Sequence, residues 1–388
     1  MSKEPQIFEA WDADGHVEEW SETFSDQYLD PPFRDRRPEV VDPNGDGRYL
    51  WKIADRPSLF KVGGSPTSMN GVASPEQALL SEWRGSLPSA EFHSAADRLA
   101  LMDQETTLLQ VNYPTMLLGW PISYNQPLNA AITRAYNNWV ADVSNQAPER
   151  MKWVSVIDPG DPKGAALEII RTKEMGSVGV MVFGVYGNKS IDDPSFEPIW
   201  ATAAETGMPV AVHPGIPSLE INESHPNFGQ HQFKFSVLMG FKRIMLSGIL
   251  DRYPDLKVGF LETGCAWVDF MVELTQESLD MSNQREEVGL KHRPFSASFI
   301  NAKPELAVAD YIRRGQVFFG FEVDEEILSY MVDKYGPDCW LYASDIPHAH
   351  RRLNSPVRLQ ERADLSDEAK RKLLVDNTAS FYGLPMPS

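Results

Sequence analysis

The chain predicts a (β/α)8 barrel with a long insertion after its first strand, and three features of the sequence point there. Short apolar runs recur from one end to the other, longer segments with helical spacing separate them, and one stretch near the N-terminus keeps neither rhythm.

The apolar runs are residues 7–13, 107–113, 152–157, 177–183, 208–213, 257–262, 316–321 and 339–344. Each is apolar on successive positions rather than alternate ones, which marks strands buried on both faces, as in a parallel sheet. The intervening segments 128–143, 162–173, 196–205, 233–251, 266–282, 325–334 and 366–375 carry amphipathic spacing, with stop signals such as Gly176 and Gly207. Eight strands joined by helices point to a barrel more than to a doubly wound sheet, although strand count alone leaves both open. The irregular stretch runs from Val17 to about Phe92 and is rich in Pro, Gly, Asp and Arg, with Trp20, Trp51 and Trp83. It is too aromatic for disorder and too long for an ordinary loop. One reading makes residues 17–92 a cap over the barrel mouth, within a single domain of residues 1–388. The other makes them an extended wrap that joins the core or a dimer contact.

Composition narrows the function classes. Of 388 residues, 42% are apolar and 23% charged, enough to bury a large core and too many for a small disulfide module. Thirty-six basic residues against 55 acidic ones leave a formal charge of −19, which repels phosphate backbones and anionic membranes and argues against nucleic acid as a partner. Only Cys265 and Cys339 are present, which suits a reducing compartment. The first residues lack the basic-then-apolar order of a signal peptide, and no run reaches the ~18 apolar residues of a membrane helix, so the expected location is cytoplasmic.

Histidines and carboxylates cluster at strand ends. His16 closes the first run in Trp11-Asp12-Ala13-Asp14-Gly15-His16, His213 closes the fifth, and the eighth leads into Asp345 and His348. In a barrel the carboxyl ends of all strands meet at one face, so these residues converge despite their separation in sequence. Asp14 and His16, two apart on an extended chain, share a face and can chelate one ion. A mixed oxygen and nitrogen set suits Zn²⁺ or Mn²⁺ and is poor for copper(I). Each residue alone has a plain structural explanation, as a satisfied polar group or a turn former; their joint placement at strands one, five and eight carries the argument.

The motifs then resemble a family. Residues 12–16, 98–103, 112–115, 192–196, 209–213, 248–254, 260–264, 343–348 and 377–379, in that order, are similar to the metal-dependent amidohydrolase superfamily. They fit the branch that includes aminocarboxymuconate semialdehyde decarboxylase and the hydroxybenzoate-type decarboxylases. The resemblance implies a distorted barrel with one divalent metal ion, held by Asp14, His16, His213 and Asp345. Asp14-Gly15-His16 looks like the carboxylate-then-His pattern of some aromatic decarboxylases, with Asp in place of the usual Glu. Strand six of those enzymes ends in a His that assists proton transfer; Glu262 takes its place here. Glu262 is read either as the group that exchanges a proton or as an acceptor that holds His213 or His16 in its tautomer. His231, at a helix start after strand five, is a candidate for substrate contact and catalysis, and His225 a surface histidine. His348 is expected to support Asp345, with Glu322 and His350 on the same rim.

The resemblance implies a nonoxidative carboxy-lyase acting on a small aromatic or unsaturated carboxylate. The alternative enzyme is a metal-dependent hydrolase of a C–N, C–O or C–C bond, and a non-enzymatic alternative is a barrel that only binds its ligand. The partners implied are a small-molecule substrate and a second copy of the chain, as a homodimer or higher oligomer.

Overall fold

The computed structural model describes residues 8–41, 50–53, 56–61, 94–216, 229–289, 304–348 and 352–386. Its strands in chain order begin with β1 (Ala10–His16) and an antiparallel ribbon of β2 (Glu39–Val41), β3 (Leu50–Ile53) and β4 (Arg56–Lys61). Then come β5 (Thr107–Tyr113), β6 (Met151–Val156), β7 (Gly179–Val182), the small hairpin β8 (Val185–Tyr186) and β9 (Lys189–Ser190), β10 (Val210–Val212), β11 (Val258–Phe260), β12 (Val317–Phe321) and β13 (Trp340–Tyr342).

Eight of these form one sheet in the order β1-β5-β6-β7-β10-β11-β12-β13, with every neighbouring pair parallel. They correspond one for one to the eight apolar runs. Strand and helix alternate around the sheet, and the molecule is a (β/α)8 barrel. The two ends of the sheet meet beyond β13: Asp345 N donates to Asp14 O at 3.1 Å and His16 N to Ile346 O at 2.5 Å. The fully buried Asp12 carboxylate latches this seam, accepting from Ser344 N at 2.9 Å, Ser344 Oγ at 2.5 Å and Gln110 Nε2 at 2.8 Å. Closing the barrel therefore draws the segment after the last strand onto the end of the first.

The helices bury the faces that their spacing marks. Gln126–Ser144 turns Leu128, Ile132, Ala135, Tyr136, Trp139 and Val140 inward, and the Asn125 side chain caps it by accepting from Leu128 N at 3.1 Å. Three boundaries differ from the sequence reading. β1 runs on through His16 because it stays paired with Tyr113 of β5, although the polar Asp14-Gly15-His16 ends the apolar run. The helix expected over 233–251 stops at Leu246 and restarts at Ile249–Arg252, because Gly248 takes a left-handed φ of 69°. The segment expected over 366–375 is Asp367–Arg371 followed by a π-turn at Lys372–Asp376 and a further helix, Asn377–Tyr382. A helix at Ala95–Gln104, capped by Ser94, was not anticipated between the insertion and β5.

Of the insertion, Gln27 and Tyr28 touch the helix Gln126–Ser144, and Phe24 and Trp51 pack on each other. Phe24 packs edge-on against Trp51 at 5.5 Å, Gln27 Nε2 donates to Asp142 Oδ2 at 3.3 Å, and Asn138 Nδ2 donates to Tyr28 O at 3.4 Å. Residues 42–49, 54–55 and 62–92 of the expected cap lie outside the described residues. Among the described residues no helix is long and apolar enough to cross a membrane, and both cysteines are buried free thiols.

Candidate metal centre

Parallel strands deliver Asp14 and His16 (β1), His213 (after β10), Glu262 (after β11) and Asp345 (after β13) to one end of the barrel. Asp14, His16 and His213 are fully buried, and Glu262 and Asp345 nearly so. His16 Nε2 and His213 Nε2 each lie 3.5 Å from Asp14 Oδ1. His16 Nε2 is also 3.5 Å from Asp345 Oδ1, and Glu262 Oε2 is 3.3 Å from His213 Nε2. Glu262 and Asp345 hold φ at 51° and 54°, a left-handed backbone sparsely populated by residues other than Gly. The strain coincides with the two carboxylates the barrel must aim inward.

Backbone carbonyls fix the two imidazoles. His16 Nδ1 lies 2.7 Å from Pro114 O and His213 Nδ1 lies 2.8 Å from Pro214 O. A carbonyl only accepts, so each Nδ1 carries the proton and each Nε2 presents a lone pair. Those two lone pairs and both oxygens of Asp14 are buried, with no hydrogen-bond partner among the described residues. Four acceptors facing one another with no proton between them would be costly in a dry site, and a cation satisfies them all. The 3.5 Å spacings match the edge of about 3.4 Å expected between donors bound at about 2.1 Å around one tetrahedral ion. Neither cysteine belongs to the set, which leaves oxygen and nitrogen donors suited to a divalent ion of the zinc or manganese kind.

The electrostatics agree. Burial drives Asp14 well above the usual carboxylate range, and the charges of Asp345, Asp12 and Glu322 push the same way. Burial likewise drives His16 well below the usual imidazole value, reinforced by His348 and His213, and lowers His213. Both shifts favour the neutral imidazole, the form that metal binding requires.

Potential donors among the described residues fall into two triads, Asp14-His16-His213 and His16-Asp345-His348, with donor atoms within 4.8 Å of one another in each. His16 joins them, and its Nδ1 is committed to Pro114. His348 Nδ1 lies 2.6 Å from Asp345 Oδ1, and its ring stacks on His16 at 4.1 Å. Glu322 is exposed but near enough for its charge to act on Asp14. His231 belongs to the helix Gly229–Leu246, but its side chain lies outside the described residues, as do His225 and His350 entirely.

Sequence reasoning missed three contributors. Asp12 latches the seam beneath the ligands. Tyr113 stacks on His213 at 5.3 Å. Thr115 Oγ1 lies 3.0 Å from His348 Nε2. Tyr113 and Thr115 sit in the quoted motif at 112–115, yet only the three-dimensional closure of β1 on β5 says what they touch.

The family model described as Amidohydrolase matches residues 124–384, a span that contains His213, Glu262 and Asp345. The chain belongs to the amidohydrolase family. Among curated proteins, this amidohydrolase is 26% identical over 220 residues to the decarboxylase orsB of Emericella nidulans, covering 51% of this chain and 60% of that one. It is 30% identical over 181 residues to the gamma-resorcylate decarboxylase of Polaromonas sp., covering 42% and 53%. The match therefore spans little more than half the length of either relative. Among solved structures, an amidohydrolase from Mycobacterium avium subsp. paratuberculosis K-10 aligns with a TM-score of 0.76 at 20% identity, over 97% of this chain and 99% of that one. The 5-carboxyvanillate decarboxylase of Novosphingobium aromaticivorans, solved with manganese and 4-hydroxy-3-methoxy-5-nitrobenzoic acid, aligns with a TM-score of 0.61 at 20% identity, over 74% and 79%.

Proposed function

We propose that this amidohydrolase is a metal-dependent, nonoxidative decarboxylase of a small aromatic or unsaturated carboxylate. The observation that carries the proposal is the buried acceptor cluster of Asp14, His16 and His213, with the Glu262 carboxyl 3.3 Å from His213 at its edge. The decarboxylase activities named for both curated relatives support the same reading. Asp14, His16, His213 and Asp345 would hold one ion, Mn²⁺ or Zn²⁺. The single count rests on His16, whose one available nitrogen serves both triads. Manganese in the 5-carboxyvanillate decarboxylase favours that metal.

A divalent ion held by these residues would supply positive charge that offsets the negative charge developing on the reacting group. The chain's own groups supply the rest. Pro114 O and Pro214 O keep both imidazoles aimed and neutral. Glu262, almost enclosed, delivers a proton to the carbon that loses CO₂: the carbon–carboxyl bond breaks, its electron pair stays on that carbon, and the proton forms the new C–H bond. Solvent then returns a proton to Glu262.

The test is a product analysis. The metal-loaded protein is incubated with hydroxybenzoates, muconate semialdehydes, and simple amides or lactones, and both released CO₂ and incorporation of solvent ¹⁸O are measured. CO₂ without ¹⁸O in the organic product supports the carboxy-lyase. Incorporation of ¹⁸O supports hydrolysis, which the carboxylate at the Glu262 position favours, since a carboxylate beside a metal site can also serve as a base toward water.

Three further expectations belong to this reading. Residues 17–92 cap the mouth of a single domain, which separate cooperative folding of that segment would contradict. The chain works in a reducing, cytoplasmic compartment, as its buried free thiols suggest. It forms dimers or higher oligomers, for which Phe235, Met239 and Phe270, exposed on neighbouring helices, offer apolar surface; a monomer throughout the micromolar range in sedimentation would overturn this.

A further inference from the structure

The tripeptide Pro114-Thr115-Met116, just after β5, touches the ligand set in two places. Pro114 O pairs with His16 Nδ1 at 2.7 Å, and Thr115 Oγ1 lies 3.0 Å from His348 Nε2. His348 Nδ1 in turn lies 2.6 Å from Asp345 Oδ1. An ionised carboxylate only accepts, so Nδ1 of His348 bears the proton, Nε2 is the acceptor, and the Thr115 hydroxyl donates to it. One short segment therefore orients His16 directly and Asp345 through an intervening ring.

That segment has its own anchor. Glu19 Oε2 accepts from Thr115 N at 3.2 Å and from Met116 N at 2.8 Å. Glu19 is fully buried and lies three residues beyond His16, so the segment that follows the ligand's strand supplies the clamp on the loop that orients the ligand. The connection is reinforced by Val17 N donating to Tyr113 O at 2.8 Å. A buried carboxylate beside a buried tyrosine, Tyr136, is an expensive choice for a brace, and an apolar contact would serve if mere packing were the purpose.

We propose that Glu19 and Thr115 are positioning residues for the metal centre, acting on His16 through Pro114 and on Asp345 through His348. The proposal rests on the metal-site reading above. Outer hydrogen-bond partners of metal ligands set tautomer and orientation, and their loss weakens metal affinity by about 10- to 100-fold. Thr115→Val keeps the shape of the side chain and removes only the hydroxyl. Thr115→Ser keeps the hydroxyl.

The experiment titrates Mn²⁺ and Zn²⁺ alone, by calorimetry, into the metal-free full chain and its variants, with the melting temperature of each metal-free protein measured alongside. The expected result is a metal Kd raised about 10-fold or more in Thr115→Val, restored in Thr115→Ser, with all three metal-free proteins melting together. Glu19→Ala is expected to weaken both metals as well; should it not fold, the threonine pair still decides. Wild-type affinity in Thr115→Val overturns the proposal, as does a loss that Thr115→Ser fails to restore. His213→Ala is the control that separates the two levels. Metal bound at wild-type affinity in His213→Ala refutes the site itself, whereas loss there with no effect at Thr115 refutes only the positioning role.

Discussion

At the scale of single residues, the proposed ligands and the proposed proton-transfer group make different demands, and substitutions can separate them. His213→Ala removes a nitrogen that shares an Asp14 oxygen at 3.5 Å, so bound metal and turnover should both disappear while the barrel remains folded by circular dichroism. Asp345→Ala should behave the same way. Glu262→Gln keeps the size and hydrogen-bonding capacity of the side chain but cannot exchange a proton. It should retain metal and lose about 10²-fold or more in kcat; a loss of only a few-fold would leave Glu262 as an acceptor that steadies His213. Glu19, which is not itself in the ligand set, offers a pH-dependent readout. Burial pushes its carboxyl up to about 7, against the hydrogen bonds from Met116, Thr115 and Leu117 that favour its charged form, and Tyr136 is its titratable neighbour. A raised folded-state value means stability that is full below the unfolded value near 4.5 and is lost as pH rises through 7. Relative to Glu19→Gln, the wild type should therefore lose about 3 kcal/mol between those limits. Denaturant unfolding of both proteins across that range checks this, and parallel pH profiles would contradict it.

At the scale of elements, the strands were legible because a strand buried on both faces must be apolar throughout, and all eight runs pair as parallel neighbours. What stayed hidden depends on partners distant in sequence. Nothing local says that Asp12 will accept from Ser344, or that Thr115 will meet His348, since barrel closure creates those contacts. The ligand candidates were legible only together: each has a plain structural use alone, but the ends of strands one, five and eight meet at one face of a barrel. Helix breaks were harder to read, because the amphipathic pattern over 233–251 continues through the Gly248 turn. The helix Gly229–Leu246 shows how tightly these elements are seated. A Cβ on Gly184 would stand 1.8 Å from Ser236 O, and one on Gly240 would stand 2.8 Å from Gly184 Cα, so loop and helix backbones touch where neither can hold a side chain. The obstacle at Gly184 is backbone, which cannot swing aside. Gly184→Ala should therefore cost about 3 kcal/mol or more, or leave the protein insoluble. A measured loss within about 0.5 kcal/mol would mean that the helix slides freely on the barrel.

At the scale of the whole molecule, the barrel places charge that is unfavourable without a counter-ion in the one region where its ends are joined. Asp14, Asp345 and Glu262 converge with little exposure at the carboxyl ends of the strands, and the seam between β1 and the segment after β13 passes through Asp14 O and Ile346 O. A cation bound there relieves repulsion among the carboxylates and ties the first strand to the last, so metal binding and the integrity of the closed barrel should be coupled. A ligand that binds only the folded state stabilises it by about 2.7 kcal/mol at 100 times its Kd. Mn²⁺ or Zn²⁺ added to the metal-free protein should accordingly raise its melting temperature by several degrees, a chelator should reverse the rise, and Ca²⁺, which prefers more oxygen donors, should do less. His213→Ala and Asp345→Ala should show no rise, since each lacks part of the ligand set. The effect should grow from pH 5 to pH 7, because protons compete with the metal for Asp14, whose burial raises its affinity for them. A melting temperature indifferent to every divalent ion across that range would remove the metal centre, and with it the ground for assigning chemistry to this face of the barrel.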